Sequence, residues 1–406
     1  MSNRWKGGFI QAYFDPLTPG AGSNAIYSWG QNSYGQIGVE DTIEYSSPVQ
    51  IGNLSEWDKV ASGQRHNLSI KTGNTLYAWG QNYSGQLGNG SRVDSSSPVQ
   101  VGALTNWEQV SAADYSSYAI KVDGTLWSWG TNNSGELGLS DTINRSSPTQ
   151  VGALTTWAFI HAGKVTAYAI KTDGTLWGWG NNQQYQLGLG YTSNINSPIQ
   201  IGTDTNWAKV GSFYQGGQAI KTNGTSYVWG TSSNGELGLN VQNDIRGGPT
   251  QVGALTTYLD LVSTRGYFRG FINTSNQLWM VGRGDDGQLG INISGYRSSP
   301  VQVGSDTNWD KAVGQYQTTF ATKTTGTLWS WGNDANGRLG QNTSGSPVLS
   351  SPVQIGSETS WANLSASWCF NYVGKCNEWH KLRRRPRITK CLKQSYQVFS
   401  FQVFGP

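Results

Sequence analysis

Thr125-Leu126-Trp127-Ser128-Trp129-Gly130, followed by Asn132-Asn133-Ser134-Gly135-Glu136-Leu137-Gly138, is the stretch whose recurrence decides the architecture. The Trp-Gly pair returns as Trp29-Gly30, Trp79-Gly80, Trp129-Gly130, Trp179-Gly180 and Trp229-Gly230, then as Val281-Gly282 and finally as Trp331-Gly332. Seven copies at a period of about 50 residues mark a repeat array, in which each unit buries its apolar surface against its neighbours. A length of 406 residues therefore does not count domains, because a closed array is one unit.

Each unit holds four short strand-like segments. In the third they are Val110-Ser111-Ala112, Tyr118-Ala119-Ile120-Lys121, Leu126-Trp127-Ser128-Trp129, and Gln150-Val151 reached through Ser146-Ser147-Pro148. Asp123-Gly124 is a two-residue hairpin signal, a turn whose two central positions both take positive φ. Four strands per unit without helical periodicity predict an all-β, seven-bladed β-propeller over residues 26–375. The complementary half-units start at Trp57, Trp107, Trp157, Trp207, Tyr258, Trp309 and Trp361. The chain thus opens with the second half of a unit (Ile26 to Gly52) and ends with a first half (Trp361 to about Lys375), where Tyr372-Val373-Gly374-Lys375 falls at the spacing of Tyr118 to Lys121. Pairing of these terminal half-blades is expected to close the ring and remove its open sheet edges. Short extensions remain: residues 1–25, an arm and linker, and residues 376–406, a tail that follows no repeat and is either a genuine appendage or a frame-shifted end.

Composition fits a β-rich core, with 54 Gly, 19 Trp, 19 Tyr and 13% charged residues. The net charge of +4 conceals an asymmetry: residues 374–406 hold eight Lys or Arg against Glu378, leaving 20 basic and 23 acidic residues before them. All three cysteines (Cys369, Cys376, Cys391) lie near this end, so the repeats are a scaffold independent of redox conditions. No apolar run is long enough for a membrane helix, and the first 25 residues lack a secretory signal's apolar stretch, so neither is expected.

The pattern T-L-W-S-W-G-x-N-x-x-G-E-L-G, followed by S-S-P-x-Q-V-G and preceded by a segment ending A-I-K before D-G-T, resembles the RCC1 (regulator of chromosome condensation) repeat family over about residues 26–375. The resemblance implies a seven-bladed propeller. Members of that family include exchange factors, enzyme inhibitors and photoreceptors, and the regular units here look most like bacterial and bacteriophage versions. The photoreceptor tryptophan cluster is missing, since the matching positions read Gly63-Gln64-Arg65-His66 and Ala113-Asp114-Tyr115-Ser116. The near-constant spacing also leaves no room for an exchange factor's inserted wedge.

The repeated residues read as scaffold, and function is expected where units disagree within a kept frame. The loop between the first and second segments carries Arg65 and His66, Asp114 and Tyr115, Lys164, Phe213 and Tyr214, Arg265, Tyr267 and Phe268, Tyr316, and Trp368. Equivalent loops of a ring share one face, so these side chains are expected to form a circle that binds a protein or glycan partner. Arg4, Trp5, Phe9, Tyr13 and Phe14 have no place in a blade and are candidate anchors to a larger assembly, a virion or extracellular surface. The alternative is an intracellular exchange or chromatin-associated regulator whose tail, Lys381 to Arg387, reaches nucleic acid. No catalytic set recurs among His66, His161 and His380, so no enzyme is expected, and no cofactor. Cys369, Cys376, His380 and Cys391 match no common zinc spacing, and Gly284-Asp285-Asp286-Gly287 lacks that of a calcium loop, so no metal is expected.

Overall fold

The computed structural model describes residues 25–52, 56–254, 257–334, 338–341, 347–366 and 371–376, and every regular element among them is a strand. β1 (Ala25–Gly30) and β2 (Tyr45–Gln50) open the chain. Six four-stranded sheets of consecutive strands follow. The first two are β3 (Trp57–Ser62), β4 (His66–Lys71), β5 (Leu76–Gly80), β6 (Ser95–Gln100), then β7 (Trp107–Ala112), β8 (Ser116–Lys121), β9 (Leu126–Gly130), β10 (Arg145–Gln150). Next come β11 (Trp157–Ala162), β12 (Thr166–Lys171), β13 (Leu176–Gly180), β14 (Ile195–Gln200), and β15 (Trp207–Phe213), β16 (Gly216–Lys221), β17 (Ser226–Ser232), β18 (Asp244–Gln251). The last two are β19 (Tyr258–Val262), β20 (Phe268–Asn273), β21 (Leu278–Gly282), β22 (Arg297–Gln302), and β23 (Trp309–Gly314), β24 (Thr318–Lys323), β25 (Leu328–Asn333), β26 (Val348–Gln354). β27 (Trp361–Ala366) and β28 (Asn371–Cys376) then join the first two strands in a composite sheet ordered β2-β1-β28-β27. Its central register sets Ile26 opposite Lys375 and Trp29 opposite Tyr372. The first strands touch in succession from β3 to β27, and β27 touches β3, so an all-β propeller encloses a central channel.

The tryptophan of the Trp-Gly pair holds neighbouring units together. Trp129 is fully buried, and its Nε1 donates to the Gln86 carbonyl of the preceding unit at 2.9 Å. The same bond joins Trp79 to Gln36 (3.1 Å), Trp179 to Glu136 (2.8 Å), Trp229 to Gln186 (2.6 Å) and Trp331 to Gln288 (2.9 Å). A glycine must face each indole: a Cβ on Gly88, whose φ is +71°, would lie 2.6 Å from Trp129 Nε1. Trp29 is equally buried, but its Nε1 has no partner among the described residues.

The unit with Val281 solves this contact differently. Arg269, fully buried on β20, donates from Nε to the Glu236 carbonyl at 2.7 Å and from Nη2 to the Leu237 carbonyl at 2.8 Å. Burial lowers its pKa to about 10, which still leaves it charged at neutral pH. A guanidinium thus occupies the indole's place and satisfies the same carbonyl. A matching exchange explains Tyr185, the non-glycine in a row of positive-φ glycines. Tyr185 itself has φ 58°. A Cβ on Gly85 would meet Ser146 Cα at 2.5 Å, but the position facing Tyr185 is Gly247, which leaves the ring room.

Two sequence expectations change in detail. The Asp123-Gly124 turn is wider than two residues: Gly124 N–H donates to the Lys121 carbonyl and Lys121 N–H to the Thr125 carbonyl, and of the central pair only Gly124 (φ 74°) is left-handed. Asp123 instead accepts hydrogen bonds from Thr125 through N–H and hydroxyl, fixing the turn with its side chain. The fourth strand also begins earlier and contains Ser146-Ser147-Pro148, tolerable because it is the sheet's outer edge, where a missing N–H breaks no ladder.

Replacing Arg269 by Ala should cost about 3 kcal/mol or more, since it empties a buried site and strands two carbonyls. The pair Arg269→Ser with Val281→Trp restores the third unit's Ser117 and Trp129 arrangement and should recover most of that loss in chemical denaturation.

Candidate functional site: the loop face and the channel beneath it

Successive strands are antiparallel, so the first-to-second and third-to-fourth loops of every unit emerge on one face. The Arg65 carbonyl accepts from Gln81 N–H and the Tyr115 carbonyl from Thr131 N–H, bonds that tie the two loop sets together. The candidate residues divide sharply by depth. Arg65, Tyr115, Lys164, Tyr214, Tyr267 and Tyr316 are half-buried at the surface. His66, Asp114, Phe213, Arg265 and Phe268 are buried. Trp368, and the anchor candidates Arg4, Trp5, Phe9, Tyr13 and Phe14, lie outside the described residues.

The expected circle of exposed side chains is therefore corrected at five positions. Phe213 packs with Val228, Leu237 and Val252, and Phe268 with Val262, Met280 and Leu289, so both are core. His66 places Nε2 2.9 Å from Ser117 Oγ of the next unit, and that hydroxyl donates its own hydrogen to the Gln86 carbonyl at 2.7 Å. Nε2 must then carry the proton, leaving Nδ1 bare and without a partner among the described residues. Burial, helped by the Arg265 charge, pushes the His66 pKa down to about 3. His161 repeats the arrangement with Ser212 Oγ at 2.9 Å and falls to about 4 for the same reasons.

Arg265 belongs to the channel. The loop between β19 and β20 is one residue longer than that between β3 and β4, because Val262 pairs with Gly270 where Ala61 pairs with Leu68. Arg265 Nη2 donates to the carbonyls of Ser62 (3.0 Å) and Ala112 (2.5 Å), on units across the ring. Asp114 Oδ1 stands 3.9 Å from Arg265 Nη1. Burial raises the Asp114 pKa to about 6, outweighing the opposing pull of Arg265 and Lys164.

What stays at the surface is an arc of aromatics and cations. Lys164 Nζ donates to Tyr214 Oη at 3.1 Å, the Tyr214 and Tyr267 rings are 4.5 Å apart, Tyr267 and Tyr316 are 6.2 Å apart, and Arg283 lies 5.8 Å from the Tyr316 ring. Burial and the neighbouring Tyr214 raise the Tyr267 pKa to about 12, so its hydroxyl remains a donor at neutral pH. Elsewhere on the face Arg65 covers Tyr34 at 4.7 Å and Tyr115 meets Tyr83, itself 55% exposed, at 5.7 Å. Sequence reasoning missed Tyr34, Tyr83 and Arg283, which stand on the glycine-rich third-to-fourth loops. Placing both loop sets on one face is the signal that would have found them. Asp285 and Asp286 pair with Arg283, and among the described residues no three His, Cys, Asp or Glu side chains gather as metal ligands.

His66 yields a pH prediction. Its folded pKa lies below the unfolded one, so between pH 6.5 and about 3 the unfolded chain binds a proton that the folded chain refuses, and stability falls as pH falls. From pH 7 to 4.5 wild type should lose about 2–3 kcal/mol more than His66→Gln, read from urea denaturation at both pH values; parallel losses would refute the assignment.

Residues 23–70, 74–120, 123–166 and 173–212 match the regulator of chromosome condensation (RCC1) repeat, and residues 57–86 match a second RCC1 repeat profile. Among curated proteins none matches the sequence. Among solved structures, the crystal structure of Kap60 bound to yeast RCC1 (Prp20) aligns with TM-score 0.77 and 16% identity over 93% of each chain. Prp20p of Saccharomyces cerevisiae, described with its binding to Gsp1p and histones, aligns with TM-score 0.77 and 17% identity over 90% of this chain and 92% of that one. Human WBSCR16 gives 0.76 and 16% over 87% and 98%. At such identities the likeness speaks for fold. Residues 23–212 thus carry the RCC1 repeat matches, and the same four-strand pattern continues beyond them to Cys376.

Proposed function

We propose that the chain is a non-catalytic, seven-bladed RCC1-type propeller, with the composite sheet as the blade that closes the ring, and that its loop face binds a protein partner. The observation that carries this reading is the continuous arc from Lys164 through Tyr214, Tyr267 and Tyr316 to Arg283. Tyrosine loses little side-chain entropy on binding, and both tyrosine and arginine are enriched at interface hot spots. Mutual packing already holds these rings in place, which lowers the ordering cost of association. Prp20, which shares the RCC1 fold, is bound by Kap60 and binds Gsp1p and histones, which favours a protein over a glycan. Attachment of the propeller to a virion or extracellular surface is supported by Arg4, Trp5, Phe9, Tyr13 and Phe14, which have no place in a blade, and by the resemblance to bacteriophage versions.

A photo-crosslinking amino acid at Tyr267 should capture a protein in cells that make the chain, whereas one at Leu104, on the opposite face, should not. The pair Tyr214→Ala and Tyr267→Ala should then weaken binding of that protein at least about tenfold. Capture from Leu104 alone, or unchanged affinity in the pair, would contradict the reading.

A further inference from the structure

The channel inside the ring holds a cavity of about 540 Å3, within the size range of small-molecule sites. Its two ends differ. Arg265 spans the loop-face end, with Nη2 held by the Ser62 and Ala112 carbonyls of units across the ring. Lys59 and Gln109 border the other end; Lys59 Nζ donates to the Glu108 carbonyl and Gln109 Nε2 to the Ala158 carbonyl, so both reach sideways to the next unit instead of across the opening.

Between the ends, Val110, Phe159, Leu261, Val313 and Leu364 line the cavity from five different inner strands, and each is only half-buried. Apolar surface of this kind gains free energy when a guest takes it out of water. Three hydroxyls of the same wall are already engaged: Ser111 Oγ accepts from Ala162 N–H at 2.9 Å, Ser365 Oγ from Ser62 N–H at 3.2 Å, and Ser212 Oγ stands 2.9 Å from His161 Nε2. His161 keeps a polar atom to offer. It lines the cavity half-buried, and its Nδ1 makes no hydrogen bond among the described residues, yet that atom is not shut inside the protein as Nδ1 of His66 is. Burial and the Arg265 charge hold the His161 pKa down to about 4, so at neutral pH the imidazole is uncharged.

We infer that the channel is a binding site for a small, uncharged, mainly apolar molecule, its body covered by Val110, Phe159, Leu261, Val313 and Leu364 and its one polar group met by His161 Nδ1. An apolar wall with a few placed polar groups is the usual make-up of a small-molecule site. The charges at the closed end favour a neutral guest. Arg265 repels a cation, while its Nη2 is taken up by two carbonyls and Asp114 stands 3.9 Å from its Nη1, which leaves an anion little to gain. Because Arg265 crosses the far end, the guest enters from the face opposite the loops, and the site is separate from the loop face.

The test is a fluorescence titration of the full chain with N-phenyl-1-naphthylamine, an uncharged aromatic amine whose emission rises when it leaves water. Saturable binding at one site per chain is the expected result. Val110→Trp, which fills the channel, should weaken binding at least about tenfold, whereas Leu104→Trp, on the outer surface of the opposite face, should leave it unchanged. Phe159→Ala removes a wall ring without adding bulk and should weaken binding about fivefold, so the site stays testable if Val110→Trp does not fold; a cooperative thermal transition is the check on each variant. 1-Naphthol, which has a hydroxyl for His161, should displace the dye about fivefold more strongly than naphthalene, and equal displacement would take His161 out of the site. Absence of saturable binding to the wild-type chain, or unchanged affinity in whichever of the two wall variants folds, overturns the inference.

Discussion

The indole-to-carbonyl bond between consecutive units constrains everything else in this molecule. Each Trp-Gly tryptophan must reach a carbonyl in the glycine-rich loop of the preceding unit, as Trp129 does to Gln86, and a glycine such as Gly88 must leave the ring room. The bond therefore fixes two segments of every unit at once. A lysine reinforces the other end: Lys121 Nζ lies 3.7 Å from the Trp127 ring and 4.9 Å from Trp107, a contact repeated by Lys71, Lys171, Lys221 and Lys323. With both ends of the strands held, the loops on one face are free to differ.

The differences concentrate in the unit that breaks the repeat. Val281 forfeits the indole, and Arg269 replaces its bond with a buried cation. The same unit has the longer loop that sends Arg265 across the channel and contributes Tyr267 and Arg283 to the surface arc. On its inner strand Asp260 is shared by Lys209 and Lys311 of the flanking units, an ion triad that joins three neighbours around the channel. Attraction to both lysines holds the Asp260 carboxyl below its usual range although burial pushes it the other way. An irregular unit in a regular ring thus gathers the charged groups that the others lack.

Period and turn chemistry made the strands, the interlocking tryptophans and the glycine row legible in the sequence. The candidate face was legible as a place but not in its contents. Whether a loop side chain points out or in depends on what the next unit offers: Phe213 and Phe268 find apolar neighbours, and His66 finds Ser117 some fifty positions ahead. Arg269 was hidden for the same reason, since its meaning comes from the missing indole at Val281 beside it. Arg265 reads as one more exposed cation until the loop is seen to cross the ring.

The most direct measurement is exchange of the indole N–H protons in protein labelled with 15N at tryptophan. Trp79, Trp129, Trp179, Trp229 and Trp331 should retain their Nε1 protons far longer than Trp127, Trp177 and Trp329, whose indoles donate only to a local threonine hydroxyl. Exchange of the first group as fast as the second would show that the bond between units does not hold the ring.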